Sequence, residues 1–308
     1  MQAILAQNGM ELNKKNFKSG YVAIVGKPNV GKSTLINDLL GCKLSIVTPK
    51  PQTTRKKIMG VLTKEDYQII FYDTPGIIEP RYELQTYMVK TAYSAIEDVD
   101  VILLMVEPCK PSTDKDREVL KKLSQVNVPV ILAINKVDLV EKDSLIPIIS
   151  EYDAQLKFAE IVPISALKGV NIDLMLSLIV KYLPEGEPFY PEDYMTDYNE
   201  RFLASEIVRE KIFEFYGEEI PYSTTVEIEE FKEREIGKDF IRAIIYVERN
   251  SQKGIIIGEN GKAIKHVGVI AREEIEKQIG RKVYLELQVK VMEKWRKDKS
   301  KLQKLGYK

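Results

Sequence analysis

The chain has little material for thiolate, redox or metal-cluster chemistry. Among 308 residues there are two cysteines, one histidine and one tryptophan. Cys42 and Cys109 stand far apart and fall in no ligand spacing, so both read as reduced thiols of a cytosolic protein. No apolar run approaches the ~20 residues that cross a bilayer, and the N-terminus has no unbroken signal-peptide core. A soluble chain is expected. Net charge is also absent, since 46 Lys and Arg balance 46 Asp and Glu. That balance conceals a division: residues 251–308 hold 15 basic against 7 acidic side chains, a basic C-terminal fifth at +8 on a body at −8. Such asymmetry suits an anionic partner for the C-terminal end.

What is present is a chain long enough for about two domains, 44% hydrophobic, with sharply local punctuation. The apolar run Tyr21-Val-Ala-Ile-Val25 leads directly into Gly26-Lys27-Pro28-Asn29-Val30-Gly31-Lys32-Ser33. A buried strand ending in glycines lets backbone N–H groups converge on phosphate oxygens, and the helix expected over 34–40 adds its positive end. Lys32 is then placed for the β- and γ-phosphates, and the Ser33 hydroxyl for Mg²⁺, with Thr34 opening the helix.

Further along, Leu44-Ser-Ile-Val47 reads as a short strand and Thr48-Pro-Lys-Pro-Gln-Thr-Thr-Arg55 as an exposed loop, because two prolines suit neither a helix nor a central strand. Thr54, with Thr53 as fallback, is the threonine whose hydroxyl would meet Mg²⁺ and whose N–H would meet the γ-phosphate. The strand expected over 67–72 delivers Asp73-Thr74-Pro75-Gly76, where Asp73 can hold the metal through water and Gly76 can turn its N–H to the γ-phosphate. Two near-continuous apolar runs, 99–106 and 128–134, read as buried parallel strands. The second ends in Asn135-Lys136-Val137-Asp138. An aspartate there can accept from both N1–H and the 2-amino group of guanine, with Asn135 and Lys136 bracing the loop and covering the base. The run 161–164 leads to Ser165-Ala166-Leu167, whose N–H groups are expected at the guanine 6-oxo group.

These five loops, in order, resemble those of a small GTPase domain with a doubly wound, mostly parallel α/β sheet. Two departures stand out. Leu167 replaces the usual lysine of the last loop, a contact made through backbone. Ile77 occupies the place where Ras-like enzymes carry the water-orienting glutamine, so slow intrinsic hydrolysis is expected. Catalysis then falls to Lys32, Thr54, Gly76 and Asn29. In related GTPases lacking the glutamine, the residue matching Asn29 can hold a monovalent cation such as K⁺; the alternative is that Asn29 only shapes the loop.

Pro184-Glu-Gly-Glu-Pro-Phe-Tyr-Pro-Glu-Asp193 is proline-rich and acidic and reads as a linker. Helical spacing follows from Glu200 to Tyr216, then strand-like stretches over 223–231, 240–248 and 282–291. Between them lies Ile255-Ile-Ile257-Gly258-Glu259-Asn260-Gly261-Lys262, followed by a helical pattern to Gln278. A Gly-x-x-Gly turn between two helices directs N–H groups at a nucleic-acid backbone, and Lys253, Lys262 and Lys265 flank it. This resembles a K-homology (KH) domain, of type II because the extra helix and strand precede the motif. His266 is then structural or RNA-facing, and Trp295 either stacks on RNA or packs on the domain.

The expected organisation is an N-terminal tail (1–18), a GTPase domain (19–183), a linker (184–199), a smaller α+β KH type II domain (200–292) and a basic C-terminal tail (293–308). That pairing, with Tyr190-Pro-Glu-Asp193 and Glu200-Arg-Phe202 in the linker region, resembles the bacterial Era GTPases. The resemblance implies GTP hydrolysis to GDP and phosphate, Mg²⁺, binding to the 3′ end of 16S ribosomal RNA, a part in 30S subunit assembly, and a monomer in the cytoplasm with weak peripheral association at the inner membrane face. Two other readings stand beside it: a GTP-gated RNA-binding protein with incidental turnover, and an RNA-modification GTPase.

Overall fold

The computed structural model describes residues 16–109 and 114–307, so most of the expected N-terminal tail lies outside the described residues. The first domain carries one six-stranded sheet in the order β2-β3-β1-β4-β5-β6. Its strands are β1 (Lys18–Gly26), β2 (Ile58–Thr63), β3 (Tyr67–Asp73), β4 (Val101–Val106), β5 (Val130–Ile134) and β6 (Glu160–Pro163). Only the β2–β3 pair is antiparallel. The central strands are buried on both faces, which is why they are apolar runs rather than alternating ones.

Five helices cover the sheet: α1 (Lys32–Leu40), α2 (Glu83–Ser94), α3 (Asp114–Leu123), α4 (Leu145–Asp153) and α5 (Ile172–Tyr182). Leu35 and Ile36 of α1 with Met175 and Ile179 of α5 close one face, and Leu120, Ile148 and Tyr152 close the other. From β1 the chain passes to β2 and β3 on one side and then crosses to β4 on the other. The loop after β1 therefore sits at the topological switch point, where ligands of open α/β sheets bind.

Two expectations for the segment after α1 need correction. Residues 44–47 form no strand: Leu44 and Ser45 donate their N–H groups to Asn37 Oδ1, each at 2.9 Å, and Val47 donates to Glu210 Oε1. With its backbone bonds taken up by side chains, the segment has no sheet to join. The loop up to Arg55 is also not exposed throughout, since Thr53, Thr54 and Arg55 are buried.

The linker region lies along the antiparallel edge. Val61 donates its N–H to Met195 O at 2.8 Å, and Thr196 Oγ1 donates to Met59 O at 2.7 Å. It leads to a second domain with α6 (Glu200–Phe215), the short turn α7 (Ile220–Ser223), β7 (Thr225–Lys232), β8 (Asp239–Val247), α8 (Asn250–Ile257), α9 (Lys262–Ile279) and β9 (Val283–Val291). The sheet order is β7-β8-β9, with β8 and β9 parallel. Helix α6 packs Ile207, Val208 and Ile212 onto this sheet, yet Arg209, Glu210 and Lys211 are buried too. Its other face is covered by the 43–55 loop of the first domain.

The C-terminal residues are folded. Trp295 is fully buried, its indole N–H donating to Ser223 O at 2.9 Å, and α10 (Lys299–Lys304) follows it. Trp295, Leu302 and Tyr307 pack on Leu84 and Met88 of α2. Packing, not stacking on RNA, accounts for Trp295.

Candidate functional site

The phosphate loop owes its shape to glycines and left-handed residues. A Cβ on Gly26 would stand 2.2 Å from Met105 O, and one on Gly31, at φ 102°, would stand 2.2 Å from Asn135 Nδ2. These close approaches fold the loop around a cleft of about 340 Å³ lined by Lys32, Ser33, Thr54 and Gly76 among others. Pro28, Asn29, Gly31, Thr34 and Lys136 share that lining. The Asp73–Gly76 loop presses in from below, since a Cβ on Gly76 would lie 2.5 Å from Pro28 N.

Lys32 is buried, and its ammonium donates to Gly26 O at 3.2 Å and Lys27 O at 2.9 Å. Burial pulls its pKa down to about 8, with the Asp73 carboxylate opposing. Among the described residues no carboxylate pairs directly with this ammonium, and a phosphate in the cleft would supply that contact.

Three oxygens converge beneath it. Ser33 Oγ donates to Asp73 Oδ2 at 2.7 Å and lies 3.0 Å from Thr54 Oγ1. Asp73 is fully buried, and burial pushes its carboxyl up, against Lys32 and Ser33. Its other oxygen, Oδ1, is buried with no hydrogen-bond partner. A buried carboxylate oxygen left unsatisfied beside two hydroxyls is a hard, all-oxygen donor set that fits Mg²⁺.

Other predicted residues take different parts. Lys27 leaves the cleft for an ion pair with Asp116 at 2.6 Å. Val30 is buried, and Thr74 turns inward to donate to Ile24 O at 2.7 Å; Pro75 is buried with it. Ile77 packs in the core with Ala23, Val25 and Ile102 and donates its N–H to Gly26 O, so its side chain is removed from any nucleotide. Asn29, at φ 64°, donates its amide to Pro49 O at 2.8 Å.

At the base end, Asn135 is a buried brace. It donates to Val30 O at 2.7 Å and accepts from Ala166 N at 2.9 Å. Lys136, left-handed at φ 65°, pairs with Glu107. Asp138 accepts from Ser165 Oγ at 2.5 Å and is otherwise exposed. Ser165 N–H goes to Val170 O and Ala166 N–H to Asn135, so of the three N–H groups expected at the base, these two are engaged within the protein. Leu167 remains as the donor for a 6-oxo group. Sequence reasoning missed Glu107, and also Gln52, which lines the cleft, accepts from Tyr82 OH and Gln85 Nε2, and so ties the 48–55 loop to the start of α2. Gln52 sits at φ 63°, a signal that appears only in three dimensions.

The second site is the turn between α8 and α9. Gly258 (φ 68°, ψ 178°) approaches Ala263 so closely that a Cβ would lie 2.6 Å from it, and Gly261 is left-handed at φ 75°. Glu259, Asn260 and Lys262 are exposed, as is Lys265 one turn on; Lys253 and Ile257 flank the turn on α8, partly buried. Beside it runs an open groove of about 260 Å³ between α9 and β9, floored by Ile264, Gly268, Leu285 and Leu287 and rimmed by Lys265 and Arg272. An apolar floor with cationic rims can take unpaired bases and their phosphates. Gly268 and Arg272 were missed, although a glycine inside a helix four residues from Ile264 is a legible mark worth following.

Comparison with known proteins accords with both sites. A family model described as a 50S ribosome-binding GTPase matches residues 21–136, and a KH domain model matches residues 219–296. A crystal structure of a point variant of Aquifex aeolicus Era bound to GDP and aluminium fluoride is 46% identical, covers 94% of this chain and 99% of its own, and superposes with a TM-score of 0.91. The same identity, coverage and TM-score hold for Era in complex with MgGDPNP and nucleotides 1506–1542 of 16S ribosomal RNA. With a phosphate cleft, a KH turn and this likeness running along nearly the whole chain, the protein belongs to the Era family of GTPases.

Proposed function

We propose that this GTPase binds the 3′ end of 16S ribosomal RNA through its KH domain and acts in assembly of the 30S subunit, with GTP and GDP changing how firmly the RNA is held. The family model that mentions the 50S subunit covers only part of the first domain, whereas the relative bound to 16S RNA spans both domains, so the reading follows the latter. The observation that carries it is the packing of α2, which directly follows the Asp73–Gly76 loop, on Trp295, Leu302 and Tyr307 beyond the KH sheet. A change at the γ-phosphate therefore has a packed path to the RNA-binding domain.

In this reading Ser33, Thr54 and Asp73 would hold Mg²⁺, which neutralises charge developing on the phosphates. Lys32 stabilises the β- and γ-phosphates, and the N–H groups of Thr54 and Gly76 hold the γ-phosphate while water attacks it and GDP departs. The Ile77 side chain can offer no hydrogen bond to water, which makes intrinsic turnover slow and favours, as a second reading, GTP serving chiefly as a conformational ligand. Asn29 Nδ2 donates to Pro49 O, so the Asn29 Oδ1 would be the neutral hard oxygen offered to K⁺. Replacing Na⁺ by K⁺ at constant ionic strength should speed hydrolysis about tenfold in the wild type and not in Asn29→Ala. Equal rates in the two salts would remove Asn29 from catalysis. The protein acts as a monomer in the cytoplasm, with weak peripheral contact to the membrane. Among the described residues no helix is long and apolar enough to cross a membrane.

Filter binding of a 16S 3′-end RNA, first with GDP and then with a non-hydrolysable GTP analogue, tests the function. An affinity difference of about tenfold is expected. No RNA binding in either state would refute the RNA assignment, and equal binding in both would refute the switch.

A further inference from the structure

Thr54 reaches the cleft, and the very next residue is built into the other domain. Arg55 is buried to 3% exposure. Its Nη1 donates to Thr224 O at 2.7 Å and its Nη2 to Pro221 O at 3.1 Å, carbonyls of the C-cap and the first turn of α7. Its guanidinium carbon lies 5.6 Å from the centroid of Phe213 and 5.9 Å from that of Trp295. No carboxylate pairs with it among the described residues. Carbonyls and rings hold it instead, beside the buried Tyr307.

The same loop is tied at further points. Lys50 donates to the carbonyls of Phe213 and Tyr216, and Lys43 pairs with Glu210 of α6 and Glu274 of α9. Every one of these ties lands on the KH domain, and Arg55 is the one adjoining the threonine.

We propose that Arg55 is a positioning residue for GTP hydrolysis. Seated between Phe213, Trp295 and the α7 carbonyls, it holds Thr54 over the cleft, so the KH domain completes the catalytic site of the first domain. The inference rests on Thr54 meeting Mg²⁺ and the γ-phosphate. Arginine is suited to the seat because a planar fork can stack on rings and donate to two carbonyls at once; lysine cannot do both.

Steady-state hydrolysis by the full-length protein tests it. Arg55→Ala should lower kcat by about ten- to a hundredfold, the scale of a small misplacement of a reacting group, while GDP affinity, which needs no γ-phosphate contact, stays within about threefold. Arg55→Lys should fall between. Phe213→Leu, which loosens the seat from the KH side, should lower kcat in the same direction and keeps the test alive if Arg55→Ala fails to bind GDP. The double variant Thr54→Ala/Arg55→Ala should be no slower than Thr54→Ala alone, because both changes remove one function. Thr54→Ala with wild-type kcat would mean that the reading of Thr54 fails. Arg55→Ala or, where that variant does not fold, Phe213→Leu with kcat within about twofold of wild type, beside a crippled Thr54→Ala, would overturn the role of Arg55 alone. Additive losses in the double variant would also overturn it.

Discussion

Asp138→Asn is expected to exchange guanine for xanthine preference. Asp138 lies in the turn after β5, between the left-handed Lys136 and the last loop, and is held there by Ser165 Oγ. In the proposed reading its carboxylate would accept from two N–H groups of guanine, each a charge-assisted bond of roughly 1.5–3 kcal/mol. Asparagine keeps one oxygen for Ser165 or the base and presents a donor where the other acceptor was. GTP affinity should fall by about two to three orders of magnitude, and xanthosine triphosphate should become the tighter ligand. The base end is open to solvent, so the substitution leaves the core alone. Competition between labelled GTP and xanthosine triphosphate measures the exchange. A variant that still prefers guanine would sink the assignment of Asp138.

The second large effect belongs to the turn between α8 and α9. Asn260→Asp combined with Lys262→Glu places two carboxylates where Gly258 and Gly261 open the backbone to a partner, and removes an exposed cation at the positive end of an 18-residue helix. RNA affinity should fall about a hundredfold near 0.1 M salt, and the dependence of log affinity on log salt should flatten as phosphate contacts are lost. GTP affinity should be unchanged, since neither residue lines the nucleotide cleft. Equal RNA affinity of wild type and double variant at matched salt would count against this turn as the RNA contact.

Both predictions rest on residues readable from the sequence, and the reason is physical. A phosphate loop is a local device: glycine spacing, one lysine and one hydroxyl suffice once a strand precedes and a helix follows. The same holds for the Gly258–Gly261 turn, whose positive φ values glycine supplies. Strand β2 was less legible. It pairs antiparallel at the sheet edge and is covered by the 189–196 region, so its burial depends on residues more than a hundred positions away.

The two-domain order, the five nucleotide loops, the buried parallel strands and the KH turn are each written in contiguous residues whose chemistry acts at short range. That residues 44–47 form no strand, that Ile77 lies in the core, that Trp295 is an interior residue and that Arg55 crosses into the KH domain became visible only in the packed fold. Those outcomes depend on which surfaces are left to meet after both domains have formed. A buried arginine satisfied by carbonyls, or a helix such as α6 with charged residues buried on a second face, has the same local pattern as a solvent-exposed one. What separates them is a partner supplied from more than 150 residues away.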